Sequence, residues 1–325
     1  MSPAQDPPEI PPETPVPGGR GVIVMGLHNG AAHLAAQLAS FADQTCGNWT
    51  LFVGDDGSTD DGPAILRAFM TASGAEVQLI DGPCQGVAAN FLSLLAAAPD
   101  ADWLALSDQD DVWLPEHLET GLAALAGVPA GMPALYGARS WICDADLGRR
   151  RMSPEFHHPP GFRNALVQSI AGGNTMVLNR AGADLARAAA PEALAAGGPA
   201  THDWWLYQLI AGAGGQVIRD EVPTILYRQH GGNLFGTNRG PGAALRRLSH
   251  ILRGDLTRWV DANIAALSAS ADRLTPENRA ILTDFATLRD LGLFARLRGF
   301  ARAGLYRQSR VSQAMLWLAL TMKKL

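Results

Sequence analysis

The chain has 325 residues, 47% of them hydrophobic and 18% charged, with a formal net charge of −5. That is ample material for a large globular core. A mean hydropathy of +0.02 and the lack of any run of 18 or more apolar residues exclude a membrane-spanning helix bundle. The charge is uneven. Residues 1–239 hold 12 Lys and Arg against 25 Asp and Glu, and residues 240–325 hold 14 against 6. An acidic body followed by a basic tail points to a metal or acceptor site in front and an anionic surface partner behind, with a solvated basic helical face as the plainer explanation of the tail. No nucleic-acid partner is expected. Cys46, Cys84 and Cys143 are odd in number and form no CxxC or CxH spacing, so a reducing compartment is expected and a disulfide framework is not.

In chain order, residues 1–20 read as a disordered, Pro-rich leader with neither the basic nor the apolar segment of a signal peptide. "GVIVMGL" is then a β-rich run, and "AAHLAAQLASFADQ" repeats apolar residues at helical spacing. "WTLFVGDDGSTD" is a second strand ending in a polar turn, and "GPAILRAFMTA" a helix with Pro63 in its first turn. "AEVQLID", "QGVAANFLSLLAAA" and "DWLALSDQDD" give strand, helix and strand. Strands recur about every 27 residues and alternate with helices, which predicts a parallel sheet with right-handed crossovers. Beyond this half, "ALYGARSWICDADLG" predicts a strand pair with a turn, and "RRRMSPEFHHPPGF" a surface loop. "SIAGGNTMVLNRAGADL" predicts a Gly-rich turn, a strand and a helix. "THDWWLYQLIAGAG" predicts a helix with Thr201 at its N-cap, and "GQVIRDEVPTILYRQHGGN" strands and a loop. From Pro241 the pattern is helical, with Thr275–Pro276 opening one helix.

The polar residues fall where ligands bind in such sheets, beyond the carboxyl ends of the strands. Asp108, Asp110 and Asp111 are the sharpest case. Three carboxylates at one strand end repel each other and are costly to desolvate without a cation among them. Hard divalent ions take oxygen ligands and share them with substrate phosphates, so Mg²⁺ or Mn²⁺ is the natural occupant. A polar turn capping the helix after Pro115 and Glu116 is the alternative, and Asp111 suits it. In "DDGSTD" the acids suit a turn, or they accept hydrogen bonds from a base and a ribose. Neither GxxxxGK nor GxGxxG follows the first strand, which disfavours an ATPase or a dinucleotide dehydrogenase.

The ordered set "DDGSTD", "QGVAANF", "SDQDD", "GGNTMVL", "HDWWLYQL" and "YRQHGGN" resembles the family 2 glycosyltransferases, and among them the bacterial rhamnosyltransferase-like enzymes of surface polysaccharide. The resemblance spans about residues 21–239. It implies the GT-A fold, an α/β architecture with a mostly parallel sheet flanked by helices. Residues 21–113 would form the nucleotide-sugar half and 114–239 the acceptor half, with 240–325 a helical basic extension. It implies that Leu27, His28, Asn29, Asp55, Asp56, Gly86 and Asn90 hold the donor nucleotide. Asp108 and Asp110 match a DxD-type motif that binds the donor diphosphate through a divalent metal. Asp203 matches the catalytic base of an ED-type motif, with His202 standing where many members have Glu. His230 is a third metal ligand or a diphosphate contact.

Further expectations follow from this resemblance and the residue chemistry. The reaction would be one inverting displacement, with a metal offsetting leaving-group charge and a carboxylate deprotonating the acceptor hydroxyl. The donor would be a UDP- or dTDP-sugar, dTDP-L-rhamnose in particular, and the acceptor a glycan or lipid-linked glycan. Gly172 and Gly173 would shape the acceptor side, with Trp204 or Trp205 stacking on the sugar or simply packing in the core. In the tail, Leu293, Leu297, Phe300 and Leu305 share a face, with Arg296, Arg298, Arg302, Arg307 and Arg310 supplying charge. That suits an anionic membrane surface, or packing on the catalytic domain or a second subunit. The expected location is the cytoplasm, peripheral on the inner face of the membrane. A sugar nucleotidyltransferase and a non-catalytic scaffold are the alternative readings. The first is disfavoured by the lack of a basic Gly-rich loop in "LHNGAAHL", and the second by the intact acids.

Overall fold

The computed structural model describes residues 19–230 and 253–325. Residues 1–18 of the leader, Gly231 to Asn233 of the "YRQHGGN" segment, and the start of the C-terminal extension lie outside the described residues. The first half alternates as the sequence predicts: β1 (Gly21–Leu27), α1 (Ala31–Ala42), β2 (Trp49–Asp55), α2 (Gly62–Ser73), β3 (Val77–Asp81), α3 (Val87–Ala97) and β4 (Trp103–Ser107). β1 is buried along nearly its whole length. Its side chains alternate between two cores: Val22 and Val24 face one, and Ile23, Met25 and Leu27 the other. A strand apolar on both faces needs helices on both, and the short crossovers supply them. Pro63 opens α2, and Gly74, at φ 68°, closes it in the left-handed conformation that glycine adopts without strain.

The second half contains β5 (Val112–Trp113), α4 (His117–Ala126), β6 (Ala134–Cys143), β7 (Arg150–Met152), α5 (Phe162–Ala165), β8 (Val177–Asn179), α6 (Arg180–Ala195), α7 (His202–Gly212) and β9 (Gln216–Arg228). All nine strands form one mixed sheet in the order β3-β2-β1-β4-β8-β6-β9-β5, with β7 paired to β6. The β3-β2-β1-β4 portion is parallel. β8 enters antiparallel beside β4. The register sets Leu27 beside Asp55, Asp55 beside Asp81, and Met25 beside Ser107. The loops after β1, β2 and β4 therefore leave the sheet on a common rim. β7 comes from the segment predicted to be a loop. Asp144 explains it, because its carboxylate accepts from Gly148 N at 2.8 Å and Arg149 N at 3.3 Å and turns the chain back along β6. Three residues are too few for a readable alternation.

The C-terminal helices are α8 (Asp255–Ala269), α9 (Pro276–Leu288), α10 (Leu293–Ala303) and α11 (Arg310–Thr321). Thr275 caps α9 by accepting from Asn278 N, and Ser309 caps α11 by accepting from Ser312 N. Of the tail's apolar face, three of the four residues follow the packing reading and not the membrane one. Phe300 and Leu305 are buried in the core that runs through α3, α6 and α7, and Leu297 packs against it. Arg296 is buried too, donating to Leu291 O and Thr321 O. Tyr306 donates to Pro159 O at 2.6 Å, and Asn164 donates to Tyr306 O at 2.8 Å. The extension is thus joined to the segment that carries Pro159 and Asn164. Leu293, of the same face, is exposed (43%), as are Phe294 (86%), Val311, Leu318 and Met322 elsewhere on α10 and α11. No described helix is long and apolar enough to cross a membrane.

Candidate active site

The donor-side loops are tied by their own side chains. Asn29 sits at φ 49°, a region Asn tolerates better than most residues. Its Oδ1 accepts from Thr59 N at 2.8 Å, and its N donates to Ser58 Oγ at 3.1 Å. Gln109, which the sequence did not mark, accepts from His28 N and donates to His28 O at 2.8 and 2.9 Å, so the β4 loop braces the β1 loop. Asp55 Oδ1 accepts from Ser58 N. Asp56 is buried, with its two oxygens accepting from Cys84 N and Gly86 N at 2.6 and 2.9 Å. It clamps the loop before α3, and Gly86 stands at φ 91° there.

Two donor-side expectations need correction. The Leu27 side chain is fully buried, and its carbonyl is taken by Asp56 N at 2.8 Å. Strand alternation turns Leu27 into the core. Asn90 is also buried, donating to Gly54 O at 2.8 Å. It supports the rim from beneath and offers no side chain to a ligand.

Asp108, Asp110 and Asp111 each direct a carboxylate oxygen into one cluster, all within 4.8 Å of one another. Burial, then Asp110 and then Asp203 push the Asp108 carboxyl up to about 7. Asp203, from α7, thus lies within electrostatic reach of a cluster 95 positions earlier in the chain. Asp111 is the deepest of the three. Burial and its two acid neighbours raise it well above the ordinary carboxylate range, against the hydrogen bonds it accepts from Asn174 and Arg228. Its Oδ1 accepts from Arg228 N at 2.9 Å and its Oδ2 from Asn174 Nδ2. Asp111 therefore ties β9 and the "GGN" turn to the cluster, and the residue in the N-cap position of α4 is Glu116. Arg228 Nε donates to Asp110 O at 2.9 Å. His230 Nε2 lies 2.7 Å from Asp110 Oδ2, so the structure brings it to the cluster as expected. His33 of α1, which the sequence did not mark, has its ring centroid 4.8 Å from that of His230. Its pKa is lowered first by burial, then by Arg228 and His230.

On the acceptor side, Asp203 occupies the first turn of α7, half-buried, with Oδ1 accepting from Trp204 N at 2.8 Å. His202 is stacked on Phe91, centroids 3.8 Å apart. Burial lowers its pKa to about 4, with Asp203 opposing. Where many family members would carry a second acid, this site holds a neutral ring. Gly173 is required by that ring, because a Cβ there would lie 2.4 Å from His202 Nε2. The tryptophan expectation resolves to its packing alternative. Trp204 is 8% exposed and donates to Ala165 O, and Trp205 is fully buried. A helix seated in the core on nearly every side leaves neither indole free to stack on a sugar.

The donor set suits a hard dication. It is all carboxylate oxygen with one imidazole beside it, and its mutual repulsion, expressed in the raised Asp108, is what a cation would relieve. A parallel half-sheet, a rim of acids and a half-buried carboxylate within electrostatic reach of them suit a glycosyltransferase of the GT-A fold. Residues 22–169 match the family model described as Glycosyl transferase family 2, and the chain is a glycosyltransferase whose sequence resembles that family. It is similar to the dTDP-rhamnosyl transferase RfbG of Shigella flexneri, with 25% identity over 229 residues, 69% of this chain and 78% of that protein. In fold it is similar to S. aureus TarS 1-349 in complex with UDP-GlcNAc, with a TM-score of 0.51, 12% identity, and coverage of 87% of this chain and 89% of that one. Asp203 and His230 lie beyond the family match.

Proposed function

We propose that this enzyme transfers a sugar, with inversion, from a UDP- or dTDP-sugar to a hydroxyl of a growing bacterial glycan, using Mg²⁺ or Mn²⁺. The similarity to a dTDP-rhamnosyl transferase makes dTDP-L-rhamnose the first donor to try. The observation that carries the reading is the acid cluster within 4.8 Å with Asp203 facing it from α7. Asp108 and Asp110 would hold the dication. When bound, it supplies positive charge against the developing charge of the departing nucleoside diphosphate. Asp55 and the His28–Asn29 loop are placed to receive base and ribose, and the braces from Gln109 and Ser58 keep that loop rigid. Asp203 takes the proton of the acceptor hydroxyl as that oxygen attacks the anomeric carbon. Attack from the side opposite the leaving group would invert the anomeric carbon, and the electrostatic reach of Asp203 to the cluster supports its role as the base. The neutral His202 leaves Asp203 the single anion at the start of α7.

The acceptor side is formed by the Gly172–Gly173–Asn174 turn and α7. A lipid-linked acceptor fits the exposed apolar residues of α10 and α11, which lie among the exposed Arg298, Arg302, Arg310 and Lys323. We place the enzyme in the cytoplasm against the inner face of the membrane. The test is direct. With dTDP-L-rhamnose and UDP-sugars as donors and Mn²⁺ present, D110N and D203N should each lower transfer by at least roughly a thousandfold. Both should keep the wild-type circular dichroism. Nucleotide binding in the presence of metal should be lost in D110N and kept in D203N. Wild-type turnover in both variants would end the proposal.

A further inference from the structure

One cationic cavity is left over by the donor and base assignments. It measures about 410 Å³ and lies between the β6–β7 hairpin and the end of β9, lined by Cys143, Asp144, Arg149, Arg150, Arg151 and Gln229. Arg149 and Arg150 are exposed and Arg151 is half-buried. Among the described residues, none of the three pairs with a carboxylate. The one acid on the rim, Asp144, spends its oxygens on the backbone of Gly148 and Arg149. Cys143, a buried thiol raised by that burial, adds no negative charge. Three arginines among the residues lining one cavity favour an anionic guest, and planar guanidinium forks match the oxygens of a phosphoryl group.

The cavity's place in the sheet says which substrate would bring that anion. Gln229, which lines the cavity, is followed by His230, whose Nε2 is 2.7 Å from Asp110. Gln229 N also donates to Cys143 O at 3.0 Å. The cavity and the acid cluster are therefore one residue apart on the same chain segment. The base and ribose loops follow β1 and β2, on the far side of β4. The cavity follows β6 and β9, on the opposite flank of the cluster. A nucleotide extending from β1–β2 reaches the cluster with its diphosphate and ends there. A molecule entering from the β6–β9 flank reaches the cavity first.

We propose that the Arg149–Arg150–Arg151 cavity is a phosphoryl-binding subsite of the acceptor, taking a phosphate or diphosphate carried by the molecule that receives the sugar. The assignment to the acceptor rests on the donor reading above, whereas the anion site itself does not. Inorganic pyrophosphate is the first probe, titrated by calorimetry into the full chain in a metal chelator so that the acid cluster repels it. The second probe is phosphatidylcholine vesicles with and without phosphatidic acid, read by co-sedimentation. The variants are R149A/R150A/R151A and the charge-conserving triple lysine form, both checked by circular dichroism. The alanine form should bind pyrophosphate at least about tenfold more weakly, a loss of about 1.4 kcal/mol, and the lysine form should fall between. Phosphatidic-acid-dependent pelleting that the alanine form loses assigns the phosphate to a lipid-borne acceptor. Pyrophosphate binding without pelleting supports the site and assigns it to an acceptor free of the bilayer. Equal pyrophosphate affinity in wild type and the alanine form overturns the proposal. Metal-dependent UDP or dTDP binding by the wild type, measured separately, tells failure of the donor reading from failure of this one.

Discussion

Asp111 shows how three neighbouring acids divide their work. The sequence shows a triplet of carboxylates at a strand end, and that alone implies a cation. Only the structure shows that Asp108 and Asp110 face the rim, while Asp111 is buried beneath them and held by Asn174 and the Arg228 backbone. The "GGN" turn was legible for its glycines, not for its Asn. Removing this carboxamide leaves a buried carboxylate with one fewer donor. Asn174→Ala should therefore cost about 1–3 kcal/mol of stability, read from urea denaturation. It should also lower kcat by about tenfold or more, because the carboxylates above lose their support. Asn174→Asp should be worse on both counts, since it sets a fourth acid against the cluster. Unchanged stability and kcat in the alanine variant would show that the strut is idle.

At the scale of elements, the parallel half was readable because each strand is a short apolar run and each helix repeats apolar residues at helical spacing. The second half was less so. β5 and β7 have two and three residues, too few for periodicity, and they exist through pairing with β9 and β6. The C-terminal helices show the same limit in another form. A helical face of Leu, Phe and Arg reads alike whether it meets lipid or protein. Phe300 meets the Trp317 ring at 4.8 Å and is buried, which leaves Phe294 as the most exposed apolar residue. If α10 lies on a bilayer, Phe294→Glu should weaken co-sedimentation with anionic vesicles by roughly tenfold or more, since burying a phenylalanine is worth about 1.5–3 kcal/mol. The folded chain should be undisturbed. Pelleting equal to wild type would remove the membrane from the account.

For the molecule as a whole, two buried histidines set a pH dependence of stability. His117 is fully buried between Trp113 and Thr224, and burial lowers its pKa to about 3. His202 is lowered to about 4. Both are neutral in the folded chain and take up protons near 6.5 once unfolded. The stability they confer is complete above that value and is lost as the pH falls toward 4 and then 3. Each contributes a slope on the order of 1 kcal/mol per pH unit. The raised carboxyls of Asp108 and Asp111 contribute the opposite slope over the same interval, so the histidine contribution is read by difference. A His117→Asn/His202→Gln variant, though less stable at neutral pH, should lose less stability than wild type as the pH falls from 6.5 to 4, read from urea midpoints. A slope equal to wild type would mean that other groups govern acid unfolding.

Sequence alone determined the alternating half-sheet, the location of the acids at strand ends, and the family they point to. Those features are local: they depend on apolar runs, turn chemistry and the order of short motifs. The tertiary structure decided which carboxylates face the rim and which is buried beneath them as a strut. It also decided that Trp204, Trp205 and Phe300 belong to the core, and that Asp203, His230 and an arginine-lined cavity from distant segments surround one cluster. Those outcomes depend on burial and on contacts between residues tens of positions apart, and no periodicity along a single chain encodes which side of a buried element a distant partner will cover.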